Sequence, residues 1–151
     1  MLVGAVMSRN PVTVDRDHTV LHVARLMREK NVGAVVIVDG SGRAVGICTD
    51  RDIVTRGFGL PGNPAVLPVD RIMTKPVLTV DEDTLLFDLF RMTAEKRVRR
   101  VPVVQASTKK VIGMVSLDDA MLVLTTELSN VAEVLGHSSK VLGARATDEE
   151  E

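Results

Sequence analysis

Thr49 and Asp52 stand three residues apart in VGICTDRDIV (45–54), and Ser116 and Asp119 stand three apart in IGMVSLDDAM (112–121). A hydroxyl and a carboxylate at that spacing have two uses. The first is a capping box, in which both side chains satisfy free amides where a helix begins. That pattern prefers Glu or Gln at its fourth position, and Asp reads as too short to reach back with ease. The second use is ligand chemistry. A carboxylate at the end of a strand and the start of a helix can accept both hydroxyls of a ribose, while nearby amides favour phosphate. Gly46 and Gly113, three residues before each hydroxyl, leave room for another group to approach the strand closely.

These two stretches belong to a longer duplication, which is sought before any element is assigned. Met7-Ser8 aligns with Met73-Thr74, Pro11-Val12 with Pro76-Val77, and Val14-Asp15 with Val80-Asp81. Further along, Met27 aligns with Met92, Val35 with Val101, Gly46 with Gly113, and Asp52 with Asp119. Each copy predicts the same elements. A short extended piece containing Pro comes first. A helix follows, with Val20, Val23, Ala24 and Met27 on one face, matched by Leu86, Leu89, Phe90 and Thr93. Asp17/Thr19 and Asp83/Thr84 supply the helix starts. Two β-branched runs, VVIV and AVGIC in one copy and VPVV and VIGMV in the other, then read as a hairpin. A last helix opens at Thr49 or Ser116.

The expected organisation is a first repeat over 1–56, a Gly/Pro-rich linker over 57–68 and a second repeat over 69–128. A C-terminal helical extension over 129–143 and a disordered acidic tail over 144–151 complete it. Across 122–136, Leu124, Leu128, Val131, Val134 and Leu135 form an apolar face that suits either the core or a partner. The fold class expected is α+β, two β-α-β-β-α repeats packed through their sheets with pseudo-twofold symmetry. One unit of about fifty residues buries too little apolar surface alone, and pairing two solves that.

Composition narrows the function. The chain has 151 residues, 45% of them hydrophobic, with 19 Lys+Arg against 20 Asp+Glu. A net charge of −1 creates no field to attract nucleic acid or an anionic membrane. There is no Trp or Tyr and only three Phe, which removes the stacking platform that single strands need. The single Cys and the absence of a signal peptide or long apolar span lead to the expectation of a cytoplasmic protein. His18, His22 and His137 lack ligand spacing, so no metal site is expected. No nucleophile or general base stands beside the two motifs, so no enzyme activity and no catalytic residue are expected. Cys48 reads as a small buried residue.

With these residues in place, the chain resembles a tandem pair of CBS domains, the module named after cystathionine β-synthase and also called a Bateman module. The likeness runs from about Val6 to Leu128. It rests on Met7-Ser8 with Pro11, on VGAVVIVD with GRAVGICTDRDIV, and on RRVPVV with VIGMVSLDDAM. It implies two clefts between the repeats that take adenosyl ligands: AMP, ADP, ATP or S-adenosylmethionine, with no resident cofactor. One cleft would join Thr74, Val77 and Val98 to Thr49 and Asp52, with Gly33 and Ala34 on the adjoining strand. The other would join Ser8, Val12 and Val32 to Ser116 and Asp119. Arg99 and Arg100 would supply phosphate-binding cations to this second cleft, and the first would lack them. The resemblance further implies a homodimer through the repeats and an effector protein signalled in trans. A structural or dimerisation module without a ligand is the alternative, and a nucleotide-processing enzyme the third reading.

Overall fold

The structure, a computed structural model, describes residues 1–59 and 61–147, and the side chains of all of these up to 136. It contains two units. The first spans Met1–Leu117 and the second Asp118–Glu151.

Within the first unit the duplication is visible strand by strand. Strand β1 is Ser8–Arg9, β2 Thr13–Asp15, β3 Ala34–Val38 and β4 Ala44–Thr49, with helix α1 at Val20–Lys30. Helix α2 starts at Asp50–Asp52 and continues as a π-helical turn over Ile53–Phe58. The second copy supplies β5 (Val80–Asp81), α3 (Leu86–Lys96), β6 (Arg100–Val104) and β7 (Val111–Ser116). In each copy the first strand runs parallel to the second and the hairpin closes antiparallel, giving β2-β3-β4 and β5-β6-β7.

Local chemistry explains the elements. Val20, Val23 and Met27 fall on one face of α1 and are buried, and Leu86, Leu89 and Thr93 do the same on α3. Phe90, expected on that face, is half-buried. Thr19 caps α1 by accepting from the His22 amide at 3.2 Å. Asn31 ends α1 in the left-handed region at φ 52°, and Arg97 ends α3 at φ 55°. The first hairpin turns on Asp39, whose carboxylate accepts from the amides of Ser41 at 2.9 Å and Arg43 at 3.0 Å. The Arg43 amide is the main cause that holds its pKa below the ordinary carboxylate value.

The opening segments of the repeats are exchanged. Strand β1, from the start of the first repeat, pairs antiparallel with β7 of the second, Ser8 opposite Met114. Reciprocally, Thr74 bridges Ile47 of β4, with hydrogen bonds of 3.2 and 2.8 Å in both directions. The 3-10 turn at Val3–Ala5 docks beside the start of α3, where the Val3 amide donates to the Thr84 carbonyl at 2.9 Å. Its counterpart at Val69–Arg71 docks beside α1, where the Val69 amide donates to the His18 carbonyl at 2.8 Å. Val69, Ile72 and Met73 therefore sit in one hydrophobic cluster with Val14, Val23, Ile37 and Cys48 of the first repeat. Each repeat is completed by the opening of the other.

This exchange explains the doubled glycines. A Cβ on Gly46 would collide with the Met73 sulfur, and one on Gly113 would collide with the Met7 sulfur and approach the Ser8 carbonyl oxygen to 3.0 Å. The room each glycine leaves is filled by a methionine of the other repeat.

The second unit is helix α4, whose full range is Leu117–Thr147. The helix runs uninterrupted past 128/129, where the C-terminal helical extension was expected to begin. The helix also covers 144–147 of the segment read as a disordered tail, and the rest of that segment lies outside the described residues. No described helix is long and apolar enough to cross a membrane.

Candidate functional site

The first of the two motifs is a capping box. The Thr49 amide donates to Asp52 Oδ2 at 2.9 Å, the Thr49 hydroxyl donates to the same oxygen at 2.8 Å, and the Asp52 amide donates to Thr49 Oγ1 at 3.2 Å. Asp52 does reach back, against the expectation from side-chain length, because the box closes on the first turn of α2 where the backbone is already curled. Asp52 as a whole is 8% exposed. Its second oxygen, Oδ1, lies 3.6 Å from Arg56 Nη1. That guanidinium nitrogen also donates to the Ile72 carbonyl at 3.1 Å and to Thr74 Oγ1 at 3.5 Å. Arg56 thus ties the motif of one repeat to the opening segment of the other.

Asp52→Ala removes two acceptor roles at a buried helix start. The expected loss is about 1–2 kcal/mol of unfolding free energy. A urea titration checks it, and an unmoved midpoint would show that the box is idle.

Beyond Thr74 lies a cavity of about 300 Å³. It is lined by Ile47 of β4, by Thr74, Pro76, Val77 and Leu78 of the segment entering the second repeat, and by Lys96, Val98 and Arg100 at the α3–β6 junction. Its size is at the lower end of the roughly 300–1,000 Å³ of ligand sites. Most of its wall is aliphatic. The cations are Lys96, exposed, and Arg100, half-buried.

Three of the residues grouped from sequence, Thr74, Val77 and Val98, meet around this cavity. Thr49 and Asp52 are not among its lining residues and connect to it through Arg56. Arg100 lines this cavity too, although it was grouped with the other cleft. Arg100 opens β6 just after the irregular residues Val98 and Arg99, and it lines the cavity together with Val98. The cavity that gathers Thr74, Val77 and Val98 thus has Lys96 and Arg100 in its wall. Gly33 belongs beside them, because a Cβ there would lie 3.3 Å from Arg100 Nη2 and 3.2 Å from Asp50 Oδ2. Ala34 is buried in β3, opposite Thr49. Ile47 and Lys96 line the cavity without having been singled out from the sequence. Ile47 was legible from its position two before Thr49, whereas Lys96 carries no periodic signal.

Of the residues grouped in the other cleft, Ser8 is exposed on β1, Val12 and Val32 are half-buried, and Ser116 lies opposite Arg100 at the end of β7. Arg99 is exposed, and its carbonyl accepts from the Leu117 amide at 2.8 Å. Asp119 stands on the first turn of α4, in the second unit.

Cys48 is fully buried, and burial pushes its thiol up to about 12, with the Asp52 charge adding to the effect. It stays a protonated thiol at neutral pH and serves as packing.

The repeat geometry now meets a second observation. A CBS domain family model matches residues 3–58 and again residues 69–126. The chain belongs to the CBS domain family. Among its relatives, CBS domain-containing protein YhcV of Bacillus subtilis is 31% identical over 75% of this chain and 78% of its own length. An uncharacterized protein of Methanopyrus kandleri is 35% identical over 80% of this chain, a match that spans 61% of that relative's length. The CBS domain pair of protein MJ0100, solved in complex with 5′-methylthioadenosine and S-adenosyl-L-methionine, superposes with a TM-score of 0.75 at 25% identity. That match covers 84% of this chain and 98% of the other. Hypoxic Response Protein I, solved with two coordinated zinc ions, gives a TM-score of 0.71 at 27% identity over 79% of this chain and 95% of its own. In this CBS pair no group of three or more His, Cys, Asp or Glu among the described residues could hold a metal.

Proposed function

We propose that this CBS pair is a regulatory module that binds an adenosyl ligand in the cavity around Thr74, Val77, Val98 and Arg100. One observation carries the reading: an aliphatic slot built from both repeats with a half-buried guanidinium in its wall. The slot suits a flat heteroaromatic base between Ile47, Val77 and Val98. Arg100 and Lys96 suit a phosphate, which a guanidinium can engage with two parallel hydrogen bonds. Thr74 Oγ1, in the cavity wall, offers a polar atom for a ribose, and Arg56 links it to Asp52 behind the wall. The adenosyl complexes of the MJ0100 pair support the same class of ligand. AMP, ADP, ATP and S-adenosylmethionine are the candidates.

The output follows from the build of the wall. Ile47 comes from one repeat and the other lining residues from the other, so a ligand held by both stabilises the arrangement in which they are together. The reading includes a homodimer through the CBS repeats and an effector protein that senses this arrangement in trans, with no chemical turnover.

One feature favours a second reading, a structural module without a ligand. The Thr49–Asp52 box is closed, and two of its hydrogen bonds fall on Asp52 Oδ2. Calorimetric titration of the purified chain with the four candidates, alongside thermal melting, separates the two. Saturable heat and a rise in melting temperature that grows with the logarithm of ligand concentration are expected. No heat and no shift with any of the four at millimolar concentration would leave the structural reading standing.

A further inference from the structure

Arg100 is the half-buried cation in the cavity wall, and its guanidinium lies against the first repeat at Gly33. The place a Cβ would take on Gly33 is 3.3 Å from Arg100 Nη2 and 3.2 Å from Asp50 Oδ2. Those two atoms, one from each repeat, are therefore no more than 6.5 Å apart. Asp50 is held there by its own surroundings. Its other oxygen, Oδ1, accepts from the Arg51 amide at 2.8 Å, and its backbone amide donates to the Gly33 carbonyl at 3.2 Å. Gly33 leaves open the space in which carboxylate and guanidinium approach, and a side chain there would crowd both. The second repeat is built differently. Its Leu117 amide donates to the Arg99 carbonyl at 2.8 Å, so Leu117 stands where the first repeat has Asp50. The shared fold does not demand a carboxylate at this position.

We infer that Asp50 sets the charge selectivity of the cavity, an inference that rests on the ligand reading above. Beside a half-buried guanidinium, opposite charges this close interact more strongly than in bulk water. Asp50 offsets part of the field that Arg100 and Lys96 present, and it repels an incoming phosphate. Because Asp50 is itself exposed, the effect is moderate and screened by salt. The handicap grows with the negative charge of the ligand. It is largest for ATP, smaller for AMP and absent for adenosine, so the site favours adenosyl ligands of low negative charge.

Calorimetry on the full chain with these three ligands is the test. Asp50→Asn keeps an oxygen for the Arg51 amide and removes only the charge. It is expected to tighten ATP about three- to tenfold and AMP about two- to threefold, with adenosine unchanged. The ATP gain should shrink as salt is added. Asp17→Asn, at an exposed residue outside the cavity wall, makes the same change in net charge and should leave all three affinities at wild-type values. Local damage to α2 would move the three ligands together, whereas charge selectivity ranks them. Equal changes for the three, or the same gain from Asp17→Asn, overturn the inference and leave the ligand reading standing. No saturable heat from any of the three on the wild-type chain removes the ligand reading, and this inference with it.

Discussion

Gly46→Ala is expected to destabilise the protein by about 1–3 kcal/mol, the range for overfilling a packed core. The substitution is unusual in its sign. Glycine inside a strand normally costs about 0.5–1 kcal/mol relative to alanine, so the same change on an open strand would stabilise. Here the added carbon would occupy the volume of Met73, whose sulfur, Cγ and Cε all stand within 3.1 Å of it. Met73 is 6% exposed and surrounded by Val69, Ile72 and the first repeat's core, so it has nowhere to retreat. Met73→Ala alone should cost about 2–5 kcal/mol as a cavity. The two changes together should cost at least about 1 kcal/mol less than their sum, because one vacates what the other fills. Urea unfolding of the two single variants and the double variant measures this coupling, and strict additivity would sink the account. Gly113→Ala behaves differently. Removing Met7 relieves the sulfur but leaves the Ser8 carbonyl oxygen at 3.0 Å, so rescue by Met7→Ala should be incomplete.

Arg100→Ala is expected to weaken AMP or ATP binding by about 10- to 100-fold, since a hydrogen bond to a charged group contributes roughly 1.5–3 kcal/mol. Adenosine, which presents no phosphate, should lose less than about threefold. Lys96→Ala should have the smaller effect of the two cations, because the exposed ammonium keeps its hydration and its charge is screened by salt. Calorimetry with the three ligands on the two variants gives the comparison. Equal losses for adenosine and AMP would remove Arg100 from phosphate binding and leave it a wall residue.

The parts of the fold that rest on local periodicity were open to inspection of the chain. The buried faces of α1 and α3 follow from Val20, Val23 and Met27 and from Leu86 and Leu89, and the hairpins follow from runs such as VVIV beside a Gly-containing turn. The exchange of opening segments was not legible. An internal alignment pairs Met7 with Met73 as equivalents, yet equivalence says nothing about which repeat each one enters. A methionine fits either core equally well as a residue type. The same limit explains Arg100. Sequence comparison marks Arg99 and Arg100 as a difference from Gly33 and Ala34, but only the folded chain tells which of two neighbouring arginines lines the cavity. The capping box at Thr49–Asp52 was legible as one of the two uses of that spacing, but side-chain length alone understates the reach of Asp52, because the distance to be spanned is set by how tightly the first turn of α2 is wound.

The exchanged openings bear on what the smallest viable piece of this protein is. Cutting the chain between 57 and 68 yields two halves, each carrying a segment that belongs in the other's interior and each lacking its own. Each half keeps its own three strands but cannot close its core by itself, so each would expose the floor on which Met7 or Met73 normally rests. Duplication here produced a pair that folds as one object, and a single copy is an incomplete sentence.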